Sequence, residues 1–186
     1  MFFGVIGQMA GFFMFESFSF LDQSLLATVS GLFGLMLGAG AWALKERSRV
    51  LMVAAAGSFF WAIHFYEIGA LTAGFLNVAI ALRTFATSRV SGRREKMVVF
   101  FFFGSVFSIM TAMSWQGWLS LLPFAGTMVS TFSYSFLDNV AMRKVTFLSS
   151  FFWISNSIAW GSYQNVVAEV LRSSMTAIGL ARLKNT

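Results

Sequence analysis

The sequence predicts an all-α, polytopic integral membrane protein, on three observations. Apolar stretches of roughly 16 to 21 residues follow one another with short polar breaks, against the ~17 to 25 residues that a spanning helix requires. Hydrophobic residues make up 58% of the chain and charged ones 11%, with a mean hydropathy of +0.75, well away from the usage of water-soluble domains. Lysine and arginine gather in alternate breaks, which is a topology signal and not a nucleic-acid footprint, despite the net charge of +6. The stretches fill the chain and leave no length for a soluble domain. The 24 phenylalanines and the lone proline, Pro123, suit helices that satisfy their backbone internally. The absence of cysteine removes disulfides, thiol nucleophiles and thiolate metal sites.

Helices are expected near 2–20, 25–44, 50–66, 69–87, 97–114, 118–136, 144–160 and 164–182. The first carries Gln8 and Glu16 but no basic residue ahead of it, so it reads as a retained helix and not as a cleaved signal peptide; a segment lying in the interface is the alternative. Lys45, Arg47 and Arg49 lie in one break, Arg89, Arg93, Arg94 and Lys96 in another, Arg143 and Lys144 in a third, and Arg182 and Lys184 follow the last helix. The breaks around Asp22, Glu67, Gln116 and Ser162 contain no basic residue. Eleven of the 13 Lys and Arg residues, all but Arg83 and Arg172, thus fall on one side, which is expected to be cytoplasmic, as are both termini if 2–20 crosses. Trp115, Trp118 and Trp160 are placed at the outer interface and Trp42 at the inner one.

The chain also repeats itself. Phe59, Phe60 and Trp61 recur as Phe151, Phe152 and Trp153 (151 − 59 = 92), and the same shift carries Gly69 onto Gly161, and Gly34 and Gly38 onto Gly126 and Ser130. Small residues four apart let helix backbones approach closely. The expected organisation is therefore an N-terminal hydrophobic segment (1–24), a first three-helix repeat (25–88), a linker helix (89–117) and a second three-helix repeat (118–186). A three-helix unit ends on the side opposite to its start, so one extra crossing sets the two units parallel, in a 3+1+3 arrangement.

Trp61 lies eight residues before Gly69 and Asn77 eight after it, so in an antiparallel pair they share a level ~12 Å from the turn, near the middle of a ~30 Å hydrocarbon core. Trp153, Gly161 and Glu169 repeat that spacing, and His64 and Asn156 each follow their tryptophan by three residues, on the same helical face. Trp61, His64, Asn77, Trp153, Asn156 and Glu169 are the candidate substrate-binding residues: aromatic faces with amide groups suit a small polar solute that also presents C–H surface. Each alone reads equally as packing or interhelical hydrogen bonding. A carboxylate at mid-membrane is a functional candidate, but Arg172, three residues on, is an available ion-pair partner for Glu169, and both readings stand. Arg83, fourteen residues past Gly69, reads as an anchor that reaches the cytoplasmic surface.

The run Gly38-Ala-Gly-Ala-Trp-Ala43 lies within a membrane helix with no preceding strand, so it is not a dinucleotide site. One histidine cannot build a multi-histidine metal centre, and neither paired carboxylates nor a nucleophile motif appears. No enzymatic activity, metal or cofactor is expected. The expected partners are the lipid bilayer and a small polar solute, with nucleic acid excluded and an oligomer compatible with the pattern.

Trp61-Ala-Ile-His64-Phe, Gly69-Ala-Leu-Thr-Ala-Gly74, Asn77 and Arg83 in the first half resemble the bacterial inner-membrane family called YgjV. Leu121 to Thr131, Trp153, Asn156, Gly161 and Glu169 do so in the second, over roughly residues 25 to 184 in all. That family in turn is distantly similar to the SWEET, SemiSWEET and PQ-loop proteins. The resemblance implies three-helix units and a pocket lined by a tryptophan on the second helix and an asparagine on the third helix of each unit. Trp61 with Asn77, and Trp153 with Glu169, occupy those places. The sequence departs from those relatives in two respects: Pro123 is followed by Phe124 and not glutamine, and Glu169 stands where the second asparagine would be, which argues against a neutral sugar. The function expected is small-solute transport across the inner membrane, with a non-transporting accessory or assembly protein as the alternative.

Overall fold

The computed structural model describes residues 23–184; the helix expected over 2–20 lies outside the described residues. Seven α-helices run through them: α1 (Leu25–Ala41), α2 (Arg47–Glu67), α3 (Leu71–Arg89), α4 (Arg93–Met113), α5 (Leu121–Phe136, entered through a 3-10 turn at Trp118–Ser120), α6 (Asn139–Ala159) and α7 (Tyr163–Lys184). By length and composition α2, α3 and α4 qualify to cross a membrane, and α1 is a shorter apolar helix. Helix α6 is as long but more polar, and Thr146, Ser149, Ser150, Asn156 and Ser157 on it are buried.

Local chemistry explains the ends. The Ser24 hydroxyl accepts from the Ala27 amide at 3.0 Å to start α1, and Asp138 accepts from the Val140 and Ala141 amides at 2.8 Å to start α6. Glu95 reaches back to the Ser91 and Gly92 amides at the start of α4. These caps begin α4 and α6 before their basic residues, so Arg93, Arg94, Lys96, Arg143 and Lys144 stand on helices and not in connections. At the opposite end of the bundle the hairpins turn on Gly69, Gly117 and Gly161, with φ of 79°, 89° and 65°, a backbone region that only glycine enters freely.

Each helix packs on its neighbour in sequence; α2 lies between α1 and α3, and α6 between α5 and α7. Two further contacts join the halves, α1 with α7 and α3 with α5. Helix α4 packs on α3 and α5 and shows Phe101 and Phe102 outward. The buried set is rich in Ser, Thr, Asn and Arg, and the exposed set in Phe, Leu and Val, the distribution of a chain whose solvent is apolar. Buried hydroxyls are satisfied largely within their own helices, as with Thr131 to the Thr127 carbonyl and Ser157 to the Trp153 carbonyl.

The small residues divide their work. A Cβ on Gly57 would come within 2.8 Å of the Gly38 backbone, so there α1 and α2 meet main chain to main chain. Gly34 and Gly126 instead seat side chains, because a Cβ would lie 2.8 Å from the Trp61 ring in one case and 3.0 Å from the Trp153 ring in the other. Gly34→Leu is therefore expected to destabilise the detergent-purified protein by about 1 to 3 kcal/mol, read as a lower melting temperature. Gly40→Ala, with nothing within 4 Å, serves as the neutral control. A Gly34 variant melting with the parent would remove the seat.

Candidate functional site

The two seated indoles lie on the wall of a cavity of ≈ 70 Å³ between the halves of the bundle. That space holds roughly two to five water molecules. Towards the glycine turns it meets Trp61, Phe65 and Trp153, with the Phe65 ring centroid 5.9 Å from each indole. Towards the basic end it meets Trp42 and Tyr134, whose centroids are 6.1 Å apart.

Four of the six residues expected at the site line this cavity: Trp61, Asn77, Trp153 and Glu169. The Asn77 amide nitrogen donates to the Ala73 carbonyl at 2.9 Å. Glu169 pairs with Arg172, which also donates to the Ser150 hydroxyl at 2.7 Å. His64 and Asn156 lie outside it. His64 is fully buried, with Nδ1 2.9 Å from the Ala27 carbonyl and Nε2 2.8 Å from the Ser162 hydroxyl. Because a carbonyl only accepts, Nδ1 carries a proton, and the ring ties α1, α2 and the turn before α7 together. Asn156, also buried, leaves its amide nitrogen without a partner. The cavity does reach the level of these two residues, since Phe65 and Asn165 line it, but His64 and Asn156 are taken up in the packing beside it.

Three basic or aromatic residues depart from their expected places. Arg83 is no surface anchor: it is 0% exposed, lines the cavity, donates to the Ser130 hydroxyl at 3.1 Å and holds its guanidinium 4.7 Å from the Tyr134 ring. Its depth was read from position along the helix, but its direction is set by the inward stripe of Asn77, Ile80, Thr84 and Thr87, whose edge it occupies. Trp42, expected at the lipid interface, is 1% exposed and packed inside the basic end, tilted against Tyr134. Arg143, read only as a topology marker, is buried and donates to the Trp42 and Leu44 carbonyls at 2.7 and 2.6 Å. Arg47 donates to the Tyr134 carbonyl in the same manner. The sequence did hold a signal for this pairing, since the shift of 92 that relates the other repeats also carries Trp42 onto Tyr134.

The cavity wall thus combines three indoles, a phenyl ring, a phenol, two amides, two guanidiniums, one carboxylate and several hydroxyls. Among the described residues no group of three potential metal ligands occurs. Such a wall can hold a small solute through apolar faces and charge; no hydroxyl or thiol nucleophile with an adjacent base is present on it.

A family model described as a bacterial inner membrane protein, Imp-YgjV, matches residues 25–186. No curated protein and no solved structure matches the chain.

The Glu169–Arg172 pair is buried enough for one partner to depend on the other. Arg172→Met is expected to lower stability by about 3 to 5 kcal/mol, and Glu169→Leu combined with Arg172→Met to recover most of it. Equal losses in the single and double variants, measured by thermal unfolding in detergent, would show that the two do not act as a pair.

Proposed function

The chain belongs to the YgjV family of bacterial inner membrane proteins, and from that premise we propose that it carries a small solute across the membrane through the cavity between its halves. The observation that carries the reading is the cavity itself, flanked by residues that correspond under the repeat: Trp61 with Trp153, Asn77 with Glu169, and Trp42 with Tyr134. We take α1–α3 and α5–α7 as two parallel units joined by α4. In support, the contacts between halves are reciprocal, the first helix of each unit packing on the third helix of the other. This arrangement resembles the 3+1+3 plan of the SWEET-like proteins.

In this reading the basic end faces the cytoplasm. Opening towards it parts Trp42 from Tyr134 and releases the hydrogen bonds that Arg143 and Arg47 make across the units. Opening towards the other side parts the Phe65 ring from that of Trp153, and breaks the His64–Ser162 contact and the Gln164–Gln23 bond. Rocking of one unit on the other alternates the two states around one site. A non-transporting accessory protein would favour solid packing at the Trp61 level, and the cavity there speaks against it.

Two measurements test the proposal. In proteoliposomes, uptake from a broad metabolite panel is expected to exceed that of empty vesicles, and Asn77→Ala and Glu169→Gln to reduce it by about tenfold or more. Unchanged uptake in both variants discards the site, and no uptake of any solute discards transport. The natural absence of cysteine allows topology to be read with single introduced thiols. Tyr163→Cys is expected to react with a membrane-impermeant maleimide in intact cells, and Ser91→Cys only after lysis. The reverse pattern inverts the orientation.

A further inference from the structure

We propose that the cavity binds a short-chain carboxylate, its anionic end on the Arg83 guanidinium and its apolar end against Trp61 and Trp153. This names the solute class for the pocket described above and rests on that reading of it as a solute site.

The argument begins with an unbalanced charge. A guanidinium remains protonated in proteins, so Arg83 is a fixed cation. It is 0% exposed, and its neighbours, the Ser130 hydroxyl and the Tyr134 ring, are neutral. Its Nε and Nη1 are buried with no hydrogen-bond partner. The two salt bridges among the described residues are Arg49 with Glu46 and Arg172 with Glu169, so the one carboxylate on the cavity wall is already engaged elsewhere. The wall therefore carries two guanidiniums against one carboxylate, an excess of one positive charge. A buried charge lacking a counter-charge is strongly disfavoured in a low-dielectric interior, and an intramembrane cation that faces a cavity marks the place of an anion. Guanidinium with carboxylate is the pairing in which geometry and charge assist one another.

The far end of the cavity sets the rest of the ligand. Arg83 follows Asn77 by six residues on α3, which sets its guanidinium beside Tyr134 and its backbone ~9 Å below the level of the indoles. At that level Trp61, Phe65 and Trp153 present apolar ring faces. The ≈ 70 Å³ available limits the solute to a few heavy atoms, with butyrate about the largest acid admitted. A halide would use only one end of the cavity.

The test uses the intact protein, purified in detergent in a chloride-free sulfate buffer, with thermal unfolding followed during titration. Butyrate is expected to raise the midpoint by about 3 to 6 °C at roughly tenfold excess over Kd, while the isosteric neutral butyramide leaves it unchanged. Arg83→Gln is expected to abolish the butyrate shift and Arg83→Lys to retain part of it. The comparison of acid with amide on the parent needs no variant and holds even if Arg83→Gln fails to fold. Equal shifts with butyramide, or a full butyrate shift in a folded Arg83→Gln, overturn the site. An equal shift with chloride overturns the carboxylate assignment. Uptake of labelled butyrate into proteoliposomes separates this inference from the transport reading. Butyrate that binds but enters no faster than into protein-free vesicles leaves the anion site and removes butyrate as the transported solute; Arg83-independent entry of neutral solutes leaves transport and removes the anion site.

Discussion

In an apolar solvent a helix can hydrogen-bond its own backbone, but the polar side chains it carries have to be paired, either inside the bundle or, as with Ser105 and Ser108, with a carbonyl of their own helix. That constraint orders this bundle. Phenylalanines of α4 are shown to the surroundings, while serine, threonine, asparagine, histidine and arginine crowd the interior. Most of these groups are settled within one helix turn, and a few bridge elements: His64 between α1 and the turn at Ser162, Thr72 with Ser114 and Ser120, and Arg143 with the end of α1. At the cavity this pairing is incomplete, with two of the Arg83 nitrogens buried and unpartnered.

Glycine decides where the large rings go. Gly34 and Gly126 leave room for one indole each, and the rings so placed cannot move away from α1 or α5 without vacating those seats. Phe65 then fills the gap between the indoles, so the glycine-turn side of the cavity is fixed by three rings and two missing side chains. The same glycines that were read as sites of close backbone approach act mainly as ring sockets, and the close approach itself falls at Gly38 and Gly57.

Much of the fold was legible in the amino-acid pattern because lipid imposes a coarse rule, a run of apolar residues per helix, and because left-handed glycines at 69 and 161 mark the hairpins. Levels along the helix axis could be counted from those turns, and the counting placed Trp61, Asn77, Trp153 and Glu169 on one cavity. Direction around the axis was harder to read. Arg83, Trp42 and Arg143 are basic or amphipathic residues near helix ends, where reaching lipid headgroups and turning into the bundle look alike in sequence. The neighbours decide: inward polar residues flank Arg83 on α3, and the carbonyls at the end of α1 draw in Arg143. A deeper use of the internal repeat, pairing position 42 with 134, would have identified the inner aromatic pair.

The bonds from Arg143 to the Trp42 and Leu44 carbonyls, and from Arg47 to the Tyr134 carbonyl, join a guanidinium to main chain. Neither member titrates anywhere near neutrality. In the transport cycle proposed above, a latch of this kind ignores acidity on its side of the membrane and does not depend on which side chain stands at 42 or 134. Whatever releases it must act mechanically, by moving the helix ends apart, and cannot work by adding or removing a proton there.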